Sequence, residues 1–182
     1  MIRNQDRSGW FGASDTATIM GNWDTKTFAR WWAVKLGVFQ DHVTTPYMEF
    51  GNLAEHSIID AYDKAIHKGK TPIYLPRWRI RVNLDGWKHD YVVEVKTSKN
   101  QMKKLPKSYW QQTQVEMMAA KKKKTLVIVY NTIPEEYSRP YYLDVDKKRL
   151  HTFWTQKDNS FLLEYLGRIR YLKDCLIRGT YP

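Results

Sequence analysis

The chain has 182 residues, enough for one ordinary domain whose core needs no disulfide or structural metal. Its single cysteine, Cys175, excludes an intramolecular disulfide, a four-cysteine iron–sulfur cluster and a cysteine-based zinc finger. Thirty Lys and Arg against nineteen Asp and Glu give a net charge of +11, which favours a polyanionic partner such as nucleic acid, although a membrane surface or a ribosome would also fit.

The hydropathy of the chain argues against a membrane protein. No apolar run approaches the roughly 20 residues that a membrane-spanning helix needs. Residues 1–10 are too polar and charged for a secretory leader. We therefore expect a soluble, unexported protein that works in the reducing cytoplasm and has no membrane partner.

The first third of the chain is predicted to be mainly helical. Ser14 or Asp15 can cap a short helix that ends at Gly21, where glycine would adopt the left-handed conformation. Apolar residues at helical spacing predict a second helix from Thr25 to Gly37 and a third over about residues 48–66.

Two β-rich runs follow the third helix. The runs RWRIRVNLDGW (77–87) and YVVEVKTS (91–98), separated by a polar turn at residues 88–90, predict a hairpin. Three arginines that alternate along the first run are expected on one strand face, where they could line a groove for phosphates, as could a lysine group before the next helix. These residues are Arg77, Arg79 and Arg81, and Lys103, Lys104 and Lys107. The alternative for both groups is a solvated charged face without a role in binding.

The second half of the chain continues the alternation of helices and strands. A helix is predicted after Pro106, and the apolar run LVIVY predicts a strand covered on both faces, preceded by a solvated lysine turn at residues 121–124. RPYYLDVD predicts one more extended segment, and a long helix from about Asp146 or Asn159 to Arg178 ends the chain. Helices around a short mixed sheet make a single α/β (α+β) domain.

Three polar residues in the predicted hairpin are candidates for a catalytic site. Asp85 ends one strand beside Gly86, and Glu94 and Lys96 lie two apart on the next strand, hence on one face. Carboxylates brought together repel each other unless a divalent cation neutralises them, and an oxygen-rich site suits Mg²⁺ or Mn²⁺. A neighbouring ammonium can orient an attacking water and offset charge on a scissile phosphate. The alternative is an ordinary Glu94–Lys96 ion pair on an exposed strand.

Glu55 is a candidate third carboxylate. It lies one turn after Gly51 on a helix face that is otherwise apolar, so it could reach the same metal site. Its alternative role is that of a solvated helix glutamate.

Four pieces of sequence, taken in order, resemble the PD-(D/E)XK nucleases, and within them the phage lambda-type alkaline exonucleases and the YqaJ-like viral recombinases. The pieces are RSGWFGASDTATIMG (7–21), GNLAE (51–55), LDGW (84–87) with VEVKTS (93–98), and YWQQTQVEM (109–117). The resemblance covers about residues 7–118 and implies a restriction-endonuclease-like fold. Because the sequence has no repeat and no obvious linker, residues 1–182 are expected to form one domain. It would comprise an N-terminal helical part (1–45), a catalytic core (46–145) and a C-terminal helix (146–182).

The resemblance also implies roles for individual residues. Glu55, Asp85, Glu94 and the backbone carbonyl of Val95 would hold one or two Mg²⁺ or Mn²⁺ ions, and Lys96 would act on the nucleophilic water.

Further residues of the family pattern concern the lysine and the DNA. Gln112 would support the lysine, and Gln114 would touch the substrate, while Gln111 is expected to face solvent. Arg7 and Ser14 match an arginine and a serine that hold a terminal 5′-phosphate, and a guanidinium beside a helix start is a suitable phosphate seat. For Ser14 the plain alternative is a helix N-cap.

These assignments predict a metal-dependent 5′→3′ exonuclease that resects the ends of linear duplex DNA for recombination. By resemblance its origin would be a phage or prophage in a bacterial host, its partner a single-strand annealing protein, and its assembly a homo-oligomer such as a trimer. Two alternatives stay open. One is a PD-(D/E)XK endonuclease or resolvase, which would cut circular DNA. The other is a catalytically silent nucleic-acid-binding module in which the three polar residues of the hairpin are structural.

Overall fold

A computed structural model describes residues 8–40, 45–138 and 140–182. The described strands are β1 (Phe11–Gly12), β2 (His67–Lys68), β3 (Ile73–Leu75), β4 (Ile80–Val82), β5 (Gly86–Lys88), β6 (Tyr91–Ser98), β7 (Lys124–Asn131) and β8 (Leu150–Gln156). The described helices are α1 (Thr16–Met20), α2 (Lys26–Lys35), α3 (Pro46–Tyr62), α4 (Lys107–Ala120) and α5 (Asn159–Arg178). This mixture confirms the predicted α/β class.

The central sheet has five strands in the order β2-β5-β6-β7-β8. Strands β6 and β7 are parallel and are joined through α4, whereas the other neighbours are antiparallel. Strand β7 is buried along most of its length, as its continuous apolar run predicted. The β5–β6 hairpin is also confirmed, with His89 and Asp90 in its turn.

Helix ends follow the local chemistry of the sequence. Thr25 Oγ1 accepts from the Phe28 N–H at 3.1 Å and starts α2, and Gly37 follows its end with φ +73°. Thr45 caps α3 ahead of Pro46, and α3 stops at Tyr62, four residues before the predicted end. Gly21 does end α1, but with φ −82°, so the left-handed conformation predicted there was wrong.

The run RWRIRVNLDGW does not form one strand. Its first half supplies β4, which belongs to a separate sheet of order β1-β4-β3, and its second half supplies β5 of the central sheet. The three arginines therefore do not share a strand face. Arg77 lies in a 3₁₀ turn, Arg79 has φ +53°, and Arg81 on β4 is 6% exposed.

The end of the chain also differs from the prediction. The segment RPYYLDVD contains a 3₁₀ turn instead of a strand, and the unpredicted strand β8 follows it. Consequently residues 146–182 are not all helical, and of the two predicted starts for the last helix, Asn159 is the observed one.

Two hydrophobic cores lie on the two faces of the central sheet. Val92 packs with residues of α1, α2, α4 and α5, whereas Val93 and Val95 pack with the apolar stripe of α3. Because side chains alternate along a strand, Glu94 and Lys96 share the face of Val92. None of the helices described is long and apolar enough to cross a membrane.

Candidate active site

Strand β6 brings Glu94 and Lys96 to one face, as their spacing predicted. Lys96 Nζ lies 2.6 Å from Glu94 Oε1, and the Glu94 side chain is 4% exposed. Burial alone would lower the pKa of Lys96, but the charge and hydrogen bond of Glu94 outweigh burial and raise it. Lys96 therefore stays protonated at neutral pH and acts as a hydrogen-bond donor.

Asp85 lies at the bend just before β5, rather than at the end of a strand. Its Oδ2 accepts from the Val95 N–H at 2.7 Å, which fixes the carboxylate against β6. The N–H and C=O of one strand residue point toward the same side of the strand. The Val95 carbonyl is therefore directed toward the side on which Asp85 lies.

Glu55 reaches the same cluster from α3. Its carboxyl group is within hydrogen-bonding reach of Asp85. A Cβ built on Gly51 would lie 3.4 Å from Thr97 Oγ1, so the glycine allows α3 to approach β6 closely one turn before Glu55. The structure therefore brings together the three carboxylates that the sequence singled out.

Crowding and burial raise the pKa values of these carboxyl groups. Burial, then the charge of Glu94, raises the pKa of Glu55 to about 7. Burial and the charges of Glu94 and Glu55 raise the pKa of Asp85 well above its usual range. Like charges held together in a poorly solvated place favour protons or a cation over free anions.

The donor set fits a hard divalent cation. Carboxylates and a backbone carbonyl are the oxygen ligands that Mg²⁺ and Mn²⁺ prefer. Among the residues described, no three acidic, His or Cys side chains are already arranged around a common metal position. Asp85 and Glu94 instead accept from donors of the protein, the Val95 N–H and the Lys96 ammonium.

Gln112 on α4 contacts the lysine, as predicted. Its Oε1 accepts from Lys96 Nζ at 3.1 Å, and its Nε2 donates to Glu94 Oε1 at 2.6 Å. The ring of Tyr109 lies 5.0 Å from Lys96 Nζ. Helix α4 therefore holds both members of the Glu94–Lys96 pair.

Sequence reasoning missed Glu116, a fourth carboxylate. It is completely buried on α4, and its Oε1 accepts from Gln112 Nε2 at 2.7 Å. Burial, then the charge of Glu94, raises its pKa well above the usual range. The signal in the sequence was its position one helical turn after Gln112, between the apolar residues Val115 and Met117.

Gln114 does not face the site, which corrects its predicted contact with substrate. Its side chain is completely buried, its Nε2 donates to the Gln156 carbonyl, and its Oε1 accepts from the Asp158 N–H. Both ends of the amide are thus used to join α4 to the β8–α5 connection. Gln111 is 7% exposed, so it does not face solvent as predicted.

The predicted phosphate seat is described only in part. Ser14 is exposed on a 3₁₀ turn, Ala13–Asp15, that packs against α4, whereas Arg7 lies outside the described residues. The N-cap of α1 is Asp15, so Ser14 does not hold that position. The carboxylate of Asp15 accepts from the Gly12 N–H at 2.6 Å and lies 2.6 Å from Lys35 Nζ.

A basic groove of about 900 Å³ lies beside the first turn of α4. Its lining includes Lys104, Lys107 and Lys157, together with the aromatic rings of Trp110 and Phe153. Val127 pairs with Glu94 on one side and with Phe153 on the other. With neighbouring strands about 4.8 Å apart, the groove begins roughly 10 Å from Glu94.

Comparison with solved structures shows where this fold occurs. An alkaline exonuclease from Laribacter hongkongensis, LHK-Exo, superposes with a TM-score of 0.70 at 15% identity, over 95% of this chain and 90% of that one. The same protein in complex with dAMP gives a TM-score of 0.70 at 14% identity, with the same coverage. A phage-related exonuclease from Haemophilus somnus 129PT gives 0.69 at 15% identity, over 93% and 96%.

Comparison with known sequences gives the family. No curated protein matches the chain significantly. The YqaJ-like viral recombinase domain matches residues 4–123, about two thirds of the chain, and this stretch contains the four carboxylates, Lys96 and Gln112. The chain therefore belongs to the YqaJ-like viral recombinase family, within the PD-(D/E)XK nucleases.

Proposed function

We propose that this protein is a metal-dependent exonuclease that degrades one strand of linear duplex DNA from its 5′ end and so prepares the end for recombination. The observation that carries the proposal is the convergence of Glu55, Asp85 and Glu94 beside the protonated amine of Lys96. Family membership and the exonuclease fold support the same chemistry.

The carboxylates and the Val95 carbonyl would hold one or two Mg²⁺ or Mn²⁺ ions. When bound, such ions supply positive charge at the scissile phosphate and make water more acidic. In hydrolysis, water attacks phosphorus and the bond from phosphorus to the 3′-oxygen breaks. The water gives up a proton to solvent and the 3′-oxygen takes one up, so the released nucleotide ends in a 3′-hydroxyl and the shortened strand begins with a 5′-phosphate. The released nucleotide is then a 5′-monophosphate, the class of molecule to which dAMP, bound by LHK-Exo, belongs.

Lys96 has a definite part in this step. Because its pKa is raised, it does not take the proton of the attacking water. Its ammonium instead donates a hydrogen bond, either to that water or to a phosphate oxygen on which negative charge grows. Glu94 and Gln112 restrict the ammonium to one position, which reduces the reorganisation that the transition state requires.

The direction of digestion is proposed from the N-terminal turn. Ser14 is exposed on a turn that packs against α4, where it could contact a terminal 5′-phosphate together with Arg7. Lysines of the basic groove would attract the DNA backbone. A single-strand annealing protein as partner, a bacterial cytoplasm as location and a trimeric assembly are proposed from the family resemblance alone.

The test compares wild type, Lys96→Ala and a matched control, Lys88→Ala, on linear duplex DNA with a 5′-phosphate and on closed circular DNA. Lys88 is also a strand lysine paired with a carboxylate, Asp63, but it lies outside the site. Each protein is assayed with Mg²⁺, with Mn²⁺ and with chelator, and its folding is checked by circular dichroism.

We expect wild type and Lys88→Ala to shorten only linear DNA, to require metal, and to release a 5′-end label before a 3′-end label. Lys96→Ala should lose activity by at least about a hundredfold. Cleavage of circles would favour the endonuclease, release of the 3′ label first would reverse the polarity, and binding without cleavage would favour the silent module.

A further inference from the structure

Glu116 is not accounted for by the steps proposed so far. It is completely buried, and within the described residues its Oε2 has no hydrogen-bond partner. Burying a carboxyl group with an unsatisfied oxygen beside Glu94 costs stability. A role in the fold alone would be met better by an apolar side chain of similar size, so the residue calls for a role in the site.

The geometry of Gln112 supplies that role. A lysine ammonium only donates hydrogen bonds, so the Gln112 amide must turn its oxygen to Lys96 and its nitrogen to the two acids. The nitrogen donates to Glu94 at 2.6 Å and to Glu116 at 2.7 Å. Both N–H groups are then occupied, which leaves the amide one orientation.

We propose that Glu116 is a positioning residue that locks the Gln112 amide, so that Gln112 Oε1 accepts from Lys96. This inference rests on the proposed nuclease function. The Glu116 carboxyl accepts from Gln112 and also lies within hydrogen-bonding reach of Glu94, whereas no described hydrogen bond joins it to Lys96. We therefore assign its effect on Lys96 to the Gln112 amide. The lock requires a hydrogen-bond acceptor at position 116, and it does not require a negative charge there.

Two substitutions separate an acceptor from a space-filling residue. Glu116→Gln keeps a carbonyl oxygen that can accept from Gln112, whereas Glu116→Met keeps the approximate volume but removes the acceptor. The matched control is Thr113→Val on the same helix, where a buried hydroxyl contacts Thr155 instead of the site. Thermal unfolding in chelator confirms that each variant is folded.

The kinetic test uses linear duplex DNA with Mg²⁺. We expect Glu116→Met to lower kcat by about 10- to 100-fold with little change in KM. Glu116→Gln should stay within about threefold of wild type, and Thr113→Val should not change kcat. Since Glu116 acts through Gln112, adding Glu116→Met to Gln112→Met should cause no further loss. Unchanged kcat in Glu116→Met, failure of Glu116→Gln to rescue, or additive losses would each overturn the lock.

A second readout does not depend on activity. In the metal-free protein, the side-chain NH₂ of Gln112 should give two dispersed ¹H–¹⁵N signals that exchange slowly with water, identified by their loss in Gln112→Met. Glu116→Met should accelerate that exchange, and Glu116→Gln should not. If this pattern holds while wild type cleaves no DNA, the proposed nuclease function fails and the lock stands. If exchange is the same in all three proteins, the lock fails.

Discussion

Two clusters of charged side chains in this domain differ in how their charges balance. In the N-terminal cluster, one carboxylate, Asp15, accepts from Lys35 at 2.6 Å, from the Trp31 indole N–H at 3.0 Å and from the Gly12 N–H. In the site cluster, one ammonium, that of Lys96, contacts Glu94 and is near enough to three more carboxyl groups to interact with their charge.

The difference separates a structural cluster from a functional one. A paired carboxylate with a full set of donors satisfies the requirements of burial. Asp15 and Lys35 therefore join the turn before α1 to α2 without an added cation. An excess of carboxyl groups raises pKa values and lowers stability unless another positive charge arrives. The excess of carboxyl groups over positive charges is therefore the feature that favours a bound cation and a catalytic role.

Removing one charge from the site cluster should produce the largest effect. Asp85→Asn keeps an oxygen that can accept from the Val95 N–H but removes a negative charge next to Glu55 and Glu94. We expect nuclease activity to fall by about a thousandfold. In chelator the melting temperature should rise by about 2 to 4 °C, because repulsion is relieved.

The matched control for this prediction is Asp63→Asn, which removes a carboxylate that lies outside the site and pairs with Lys88. It should change neither activity nor stability greatly, because both partners are well exposed. If Asp85→Asn is less stable than wild type in chelator, the site carboxylates stabilise the fold, and the proposed contrast between the two clusters is wrong.

The balanced cluster should respond in the opposite direction. Lys35→Met leaves the Asp15 carboxylate without its cation in a mostly buried place. We expect a loss of about 3 to 5 kcal/mol in the free energy of unfolding, measured in urea. Adding Asp15→Asn should recover part of that loss. No recovery would mean that packing of the lysine stem, instead of charge balance, holds this cluster together.

Much of the site could be predicted because it depends on local geometry. Strand parity alone places Glu94 and Lys96 on one face, and the hairpin turn brings Asp85 near them. Gln112 was found through the family pattern and not through its spacing. These contacts lie within short, regular stretches of chain, so few choices of packing intervene.

Some of the errors have a common cause in long-range packing. The sequence from 77 to 87 is β-rich throughout, yet the chain passes from one sheet to the other between Val82 and Gly86. Gly69 approaches this segment so closely that an added Cβ would lie 1.6 Å from the Leu84 carbonyl oxygen. No local signal marks such an approach. Likewise, the complete burial of the polar residues Gln114 and Glu116 results from the packing of β6, β8 and α5 against their helix.

The site cluster should also make the stability of the metal-free protein depend on pH. Glu55 has a usual pKa near 4.5 and a folded pKa of about 7, so the folded state holds its proton more tightly. Stability from this group is complete below about pH 4.5 and is lost as the pH rises through 7. In chelator we expect the melting temperature to fall by about 5 °C between pH 5 and pH 8.

Variants assign this pH dependence to the site. Glu55→Gln should make the curve measured in chelator less steep, and Asp63→Asn should leave it as in wild type. Mg²⁺ should also flatten the wild-type curve, because a bound cation replaces the protons. A curve that rises between pH 5 and pH 8 in chelator would contradict the raised pKa of Glu55.

The smallest expected effect is on DNA binding. It concerns lysines whose expected partners are DNA phosphates rather than carboxylates. Lys104 and Lys107 line the groove beside α4, whereas Lys123 and Lys124 are exposed where β7 begins. Changing the first pair to glutamine should weaken duplex binding about tenfold at moderate salt and lower the slope of log K against log salt by about two. Changing the second pair should do less on both measures.

Fluorescence anisotropy in chelator measures this binding without cleavage. Because both double variants lose the same net charge, general attraction between a basic protein and DNA cancels in the comparison. A larger effect of the groove pair then indicates contact with phosphates near the site. Equal effects would mean that the +11 charge acts as a whole and that the DNA does not lie in the groove.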